Sequence, residues 1–258
     1  MNHQTIVIEI INLTKRYGNI TAVSNINLTI PDGQFFGFLG PNGAGKTTTI
    51  KTIVGLLKPT SGVVNVEGFD VQKEPLHAKQ IIGFIPDKPF IYEKLTGREF
   101  LQFMAGLYQV NSSEIETRIA QLLDMFELSE WGNELVESYS HGMRQKLVMS
   151  AALIHQPKVI VVDEPMVGLD PKGARLVKKI FQGICAKGTT IFMSTHTLEI
   201  AEEMCDYIAI IQKGEIIAKG TVDELRQQAQ TSQAKLEDIF LELTGGYEMK
   251  EMIEFLKN

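Results

Sequence analysis

The sequence predicts an α/β fold with a mainly parallel sheet, an antiparallel β portion near the N-terminus and a helical subdomain inserted in the core. Three observations carry this. The apolar run Phe35-Phe36-Gly37-Phe38-Leu39 leads through a glycine-rich loop into residues 49–57, whose apolar side chains recur at helical spacing. Residues 159–162 are a continuous Val/Ile run ending in Asp163 and Glu164, the pattern of a central strand buried on both faces. Between residues 94 and 156 there is no strand pattern, only helical stripes.

In chain order, residues 6–10 and 26–30 alternate as strands, the second closing on the Pro31-Asp32-Gly33 turn. Lys15-Arg16-Tyr17-Gly18 between them has the composition of an exposed loop. Residues 58–62 break the helix after the glycine-rich loop, and 63–66 resume as a strand. A short strand at 81–85 ends in a loop that carries Asp87, Phe90, Ile91 and Tyr92. Thr96 and Glu99 form a capping box, and Phe100, Phe103, Met104, Leu107 and Tyr108 follow on one helical face. Ser113 and Glu116 match a second box, before a helix with Ile115, Ile119, Leu122, Leu123 and Phe126. These Met and Phe stripes are expected to be core.

Asp170-Pro171 has the form of an N-cap with proline at the first helical position. The helix it opens stops near Gly188, and residues 189–194 are the next buried strand, with His196 just past its end. Residues 207–212 and 215–218 pair around Lys213-Gly214. A third capping box, Thr221 to Glu224, precedes amphipathic patterns at 234–243 and 249–256. The expected organisation is one domain over residues 1–220, with the helical subdomain at about 94–156, and a C-terminal helical extension over 221–258.

The glycine-rich loop reads Gly40-Pro41-Asn42-Gly43-Ala44-Gly45-Lys46-Thr47-Thr48. Gly40, Gly45, Lys46 and Thr47 fill the phosphate-binding P-loop pattern, and the flanking strand and helix are the context it requires. Successive backbone N–H groups can converge on one anion there, aided by the positive end of the helix behind. Lys46 supplies a charge for the β- and γ-phosphates, and the Thr47 hydroxyl is a hard oxygen ligand for Mg²⁺. The core is therefore expected to be a P-loop NTPase. Functional groups in such sheets gather at the carboxyl ends of strands, so Asp163 is expected to hold Mg²⁺ and Glu164 to polarise an attacking water. His196 is either a polar loop residue or, following this acidic pair in chain order, a group that reaches the γ-phosphate. Tyr17 is either a surface ring or a platform for the base.

Composition narrows the setting. Of 258 residues 44% are hydrophobic and 22% charged, as in an ordinary globular chain. The net charge of −6 argues against a sequence-independent grip on nucleic acid. Cys185 and Cys205 are expected to be buried structural thiols, each in an apolar helical pattern. The N-terminus lacks the pattern of a signal peptide, and no apolar run approaches the roughly 20 residues of a spanning helix. The expectation is a cytoplasmic chain that reaches a membrane only through a partner.

Taken in order, these motifs resemble the ATP-binding subunit of ABC transporters, from about residue 6 to residue 220. The resemblance implies that Tyr17 stacks on adenine, that residues 40–48 are the Walker A loop and that Asp163 and Glu164 are Walker B and its catalytic glutamate. It makes residues 168–170 the D-loop, with Asp170 at the nucleotide interface, and His196 the switch histidine. The Q-loop glutamine position falls at Asp87, which inherits its catalytic and Mg²⁺-associated role. The signature, usually Leu-Ser-Gly-Gly-Gln, stands here as Tyr139-Ser140-His141-Gly142-Met143 and keeps Ser140 and Gly142.

Together with the tail at 236–244, these departures are similar to the exporter-like branch that pairs with ABC-2-type permeases. The resemblance further implies ATP and Mg²⁺ as cofactors and a head-to-tail dimer with a second copy. A separate transmembrane permease would hold the chain at the cytoplasmic face, with Asp87 and the loop from Pro86 to Leu95 as the link. Phe90, Ile91 and Tyr92 either contact that permease or pack locally. A soluble ABC-type ATPase acting on nucleic acid or ribosomes is the alternative; the acidic charge and the single ATPase unit weigh against it. A GTPase lacks its Asn-Lys-x-Asp element, and a kinase would leave signature, D-loop and histidine unexplained.

Overall fold

In the computed structural model, which describes residues 5–88, 90–229 and 235–244, strands and helices alternate as the apolar patterns require. A hairpin of β1 (Ile6–Tyr17) and β2 (Ile20–Pro31) comes first. Then follow β3 (Phe35–Leu39), α1 (Lys46–Ile53), β4 (Ser61–Val66), β5 (Phe69–Asp70), α2 (Pro75–Ile81) and β6 (Ile82–Ile85). The helical segment comprises α3 (Gly97–Leu107), α4 (Ser112–Met125) and α5 (His141–Leu153). The core resumes with β7 (Val159–Asp163), α6 (Pro171–Cys185), β8 (Thr190–Thr195), α7 (Leu198–Met204), β9 (Tyr207–Gln212) and β10 (Glu215–Gly220). Helices α8 (Val222–Gln228) and α9 (Leu236–Thr244) follow. The second C-terminal helix expected from the sequence, at 249–256, lies outside the described residues.

Two sheets result. The antiparallel one has the order β2-β1-β4-β5, and the larger one β10-β9-β3-β8-β7-β6, parallel except for the β10 edge. The larger sheet is buried on both faces, which is why its strands read as unbroken apolar runs. Phe35, Ile160, Val162, Ile191 and Met193 face the helical segment. Phe36, Phe38, Val161 and Phe192, the alternate positions, face the antiparallel sheet, with Phe36 stacked on Phe192 at 5.5 Å between centroids. A third cluster, including Ile208, Ile210, Leu225, Leu236 and Ile239, seats α8 and α9 on β9.

The structure corrects several local expectations. Residues 15–17 are strand rather than loop: Lys15 pairs with Val23, Arg16 with Thr21 and Tyr17 with Ile20. The polar composition misled because this end of the hairpin is solvated outward while its backbone is engaged, Arg16 N–H donating to Thr60 Oγ1 at 2.9 Å. Helix α4 is capped by Asn111, whose Oδ1 accepts from Ser113 N–H, so Ser113 is inside the helix. Helix α5 starts at His141, because Ser140 is its N-cap and accepts from Met143 N–H at 3.3 Å. The boxes at Thr96–Glu99 and Thr221–Glu224 form as expected. Cys205 is in extended backbone just after α7, and both thiols are free. Burial pushes Cys185 up to about 11 and Cys205 further still, so neither is a nucleophile at neutral pH.

His155, between α5 and β7, lies flat on Tyr108 with 3.7 Å between ring centroids. Its Nε2 donates to Ile82 O at 3.2 Å, while Nδ1 is buried with no partner among the described residues. Burial, reinforced by Arg118 and opposed by the Ile82 carbonyl, lowers its pKa to about 4. The unfolded chain takes up this proton near pH 6.5 and the fold only near pH 4. This contribution to stability is therefore full above pH 6.5 and is lost as the pH falls through that window, by at most about 1.4 kcal/mol per unit. His155→Phe, which can keep the stack on Tyr108, is expected to show a shallower loss of urea midpoint between pH 7 and 4.5 than the parent. Equal slopes for the two chains refute this account.

Candidate functional site

The strand order brings one row of polar residues to the carboxyl edge of the larger sheet. Gly40 follows β3, Asp163 ends β7 opposite Ser194 of β8, and Leu39 lies opposite Thr195. The loop from Gly40 to Gly45 then crosses the sheet edge to start α1. Two of its glycines are required by backbone packing: a Cβ at Gly40 would lie 2.3 Å from Ile211 O, and one at Gly45 2.5 Å from Ala22 O. Gly45 also has φ +110, where side chains are strained. The loop is thus wedged between β2 and β9 beside a cavity of about 250 Å³.

That cavity is lined by Asn42, Gly43, Gly45, Lys46, Thr47 and Thr48 together with Ala22, Asp87, Asp163 and Glu164. Lys46 Nζ is buried and donates to Gly40 O at 2.6 Å and Pro41 O at 3.2 Å. Burial lowers its pKa, and the carboxylates of Glu164 and Asp163 oppose part of that shift. Thr47 Oγ1 donates to Asp163 Oδ2 at 3.1 Å, and Ser194 Oγ donates to Asp163 Oδ1. A hydroxyl and a carboxylate side by side are hard oxygen donors of the kind Mg²⁺ takes. Among the described residues no group of three or more His, Cys, Asp or Glu could hold a metal by itself. The donor set fits a Mg²⁺ that draws its other ligands from substrate phosphates and water.

Glu164 has φ +50, uncommon for a residue with a side chain. It is held there from both ends. Its N–H donates to Ser194 O at 3.0 Å, and its carboxylate accepts from Thr195 Oγ1 at 3.1 Å and from His196 Nδ1 at 2.7 Å. An ionised carboxylate only accepts, so the bond places a proton on Nδ1. The carboxylate is thereby aimed into the cavity beside Asp163.

The site therefore joins nine of the sequence-predicted residues in one cavity: Asn42, Gly43, Gly45, Lys46, Thr47, Thr48, Asp87, Asp163 and Glu164. His196 joins them through Glu164, and Gly40 and Pro41 through Lys46. Ala44 is buried beneath, its carbonyl accepting from Gly214 N–H at 2.9 Å. Four others lie outside the lining. Tyr17 is exposed at the hairpin tip, with Lys15 Nζ 5.2 Å from its ring centroid. Ser140 and Gly142 begin α5, and Asp170 caps α6, its Oδ1 accepting from Gly173 N–H at 2.9 Å. Sequence reasoning missed Ala22, Ser194 and Thr195. The β7–β8 register that brings the two hydroxyls against the acidic pair is visible only in the fold.

Comparison with known proteins gives the family. Residues 23–167 match the family model described as ABC transporter. An ABC transporter ATP-binding protein from Nostoc sp. is 41% identical over 80% of this chain and 62% of its own length, so the chain spans less than two thirds of that relative. A linearmycin resistance ATP-binding protein of Bacillus subtilis is 38% identical over 83% of the chain and 69% of its own length. A solved ATP-binding subunit of an ABC transporter superposes with a TM-score of 0.88 at 33% identity, over 92% of this chain and 99% of the other. The matched residues include the loop at 40–48 and the Asp163-Glu164 pair. The chain belongs to the ABC transporter ATP-binding family and is an ATPase.

Proposed function

We propose that two copies of this chain face each other head to tail, each completing the other's ATP site, and drive a separate permease of the ABC-2 exporter kind. One observation carries the pairing: the phosphate machinery is split. The P-loop, Asp163 and Glu164 share a cavity, whereas exposed Ser140 and half-buried Gly142 at the N-terminus of α5 lie outside its lining. That helix end favours an anion, and a second copy would bring it one. In such a pair Tyr17 stacks on adenine, residues 40–48 hold the phosphates, and Ser140, Gly142 and Asp170 serve the partner's side. Mg²⁺ bound at Thr47 and Asp163, with Asp87 nearby, would neutralise charge on the β- and γ-phosphates. Glu164 orients water for in-line attack and accepts its proton, and His196 steadies that carboxylate and turns Nε2 toward the γ-phosphate.

The permease link is supported by an apolar groove between the core and the helical segment, lined by Phe84, Phe90, Tyr92, Phe103, Met104 and Leu107 among others. Phe90 is 87% exposed and Tyr92 59%, although Tyr92 meets Phe103 edge-on. Among the described residues no helix is long and apolar enough to cross a membrane. The resistance function named for the Bacillus subtilis relative supports export as the direction. The chain then acts at the cytoplasmic face, with residues 1–220 as the ATPase unit and 221–258 as its extension.

Purification from detergent-solubilised membranes tests this: the parent recovers a polytopic subunit identifiable by mass, and a Phe90→Glu, Phe103→Glu chain that still binds ATP does not. Equal recovery by both chains, or none by the parent, refutes the link. For the adenine platform, Tyr17→Ala is expected to weaken ATP binding about tenfold or more, since base stacking is worth about 1–3 kcal/mol. Tyr17→Phe should be near neutral, and equal calorimetric affinities for all three chains would leave Tyr17 a surface ring.

A further inference from the structure

The signature departs from its usual form most visibly at His141, and the structure gives that side chain a contact. A Cβ built on Gly168 would lie 2.3 Å from His141 Cδ2 and 2.4 Å from Nε2, so the imidazole rests directly on the Gly168 backbone. The next residue packs on the same loop: a Cβ at Gly142 would meet Leu169 Cδ2 at 3.6 Å and Gly168 O at 3.7 Å. The first turn of α5 and the segment from Glu164 to Asp170 are therefore in contact within one chain.

The segment is pinned at both ends and spanned between them. Glu164 is held by Ser194, Thr195 and His196, and Asp170 by its cap on α6. Within it Val167 N–H donates to Glu164 O and Leu169 N–H to Met166 O, both at 3.3 Å. Gly168, at φ +80, is where the loop turns, and the ring fills the space a side chain would need.

We propose that His141 is a positioning residue, a strut that sets the spacing between the signature turn and the Glu164–Asp170 loop of its own chain. It rests on the paired-site reading above: the signature turn faces the partner's ATP, and the strut ties its placement to the loop carrying this chain's own water-activating carboxylate. The ring does not touch the reacting atoms. It makes closure on one ATP and the geometry at the other interdependent.

The test is a double-mutant cycle in the Glu164→Gln background, reading the ATP-dependent dimer dissociation constant by light scattering and monomer ATP affinity by calorimetry. Gly168→Ala drives a methyl into the ring and is expected to weaken the dimer about tenfold or more when His141 is present, but about threefold or less in His141→Gly. The backbone strain of alanine at this φ is present in both backgrounds and cancels from the cycle. Monomer ATP affinity should stay unchanged in all chains, which separates a strut from a general loss of structure. His141→Gln, which offers a planar side chain of similar reach, should restore most of what His141→Gly loses. With Glu164 intact, His141→Gly should retain ATPase activity within about tenfold. Equal losses from Gly168→Ala in both backgrounds overturn the strut while leaving the paired site standing. A Glu164→Gln parent that stays monomeric with ATP overturns the paired site and the strut with it.

Discussion

Glu164→Gln is expected to slow ATP turnover by about 10²–10⁴-fold, the range lost with general-base assistance, while ATP binding persists or tightens. The substitution keeps the shape of the side chain and one oxygen that can still accept from Thr195 or His196, which bond one oxygen each of the native carboxylate. What is lost is the ability to take a proton from water, together with one negative charge facing the triphosphate. Because ATP is then bound but not cleaved, the chain is expected to elute as a dimer with ATP and Mg²⁺ and as a monomer without them. Light scattering after size exclusion, alongside a phosphate-release assay, checks both parts. A variant that hydrolyses ATP normally and remains monomeric contradicts both the assigned base and the ATP-sandwiched pair.

Lys46→Ala is expected to remove high-affinity ATP binding, by about 100-fold or more, since hydrogen bonds to charged groups are worth about 1.5–3 kcal/mol each and Lys46 is placed to give more than one. The structure sharpens the reason. Its ammonium already reaches across the loop mouth to Gly40 O and Pro41 O, so it is held where the β- and γ-phosphates would enter. Alanine removes that charge and leaves Asp163 and Glu164 facing the phosphates without a counter-charge, which adds repulsion to the lost bonds. Calorimetric titration measures the change, and an unchanged dissociation constant would remove Lys46 from the site. Combined with Glu164→Gln it should also abolish the ATP-dependent dimer, because no nucleotide is held to join the copies.

Much of this site could be read before any coordinates. The P-loop is a local device: strand, glycines, lysine and helix lie within about twenty consecutive residues, and their spacing is enforced by the anion they surround. The acidic pair was equally legible, since a run as apolar as 159–162 has to be buried and its carboxyl end has to emerge at the sheet edge. Short elements were not. Helix α2, of seven residues, and β5, of two, are too brief to show a period and depend on their neighbours. The strand character of residues 15–17 was hidden for a related reason: pairing with Val23, Thr21 and Ile20 sustains it where the side chains carry no alternation.

The amino-acid sequence by itself determined the α/β class, the loop chemistry of residues 40–48 and the identity of the acidic pair, because each follows from contacts between residues close in the chain. The tertiary structure alone decided what surrounds them. Ser194 and Thr195 lock the two carboxylates through strand register, and Ile211 O and Ala22 O forbid side chains at Gly40 and Gly45. The imidazole of His141 comes to rest on Gly168, which is 27 positions further along the chain. These are long-range juxtapositions, and no local periodicity encodes them. They exist only once the sheet order β9-β3-β8-β7 has brought distant strand ends to one edge.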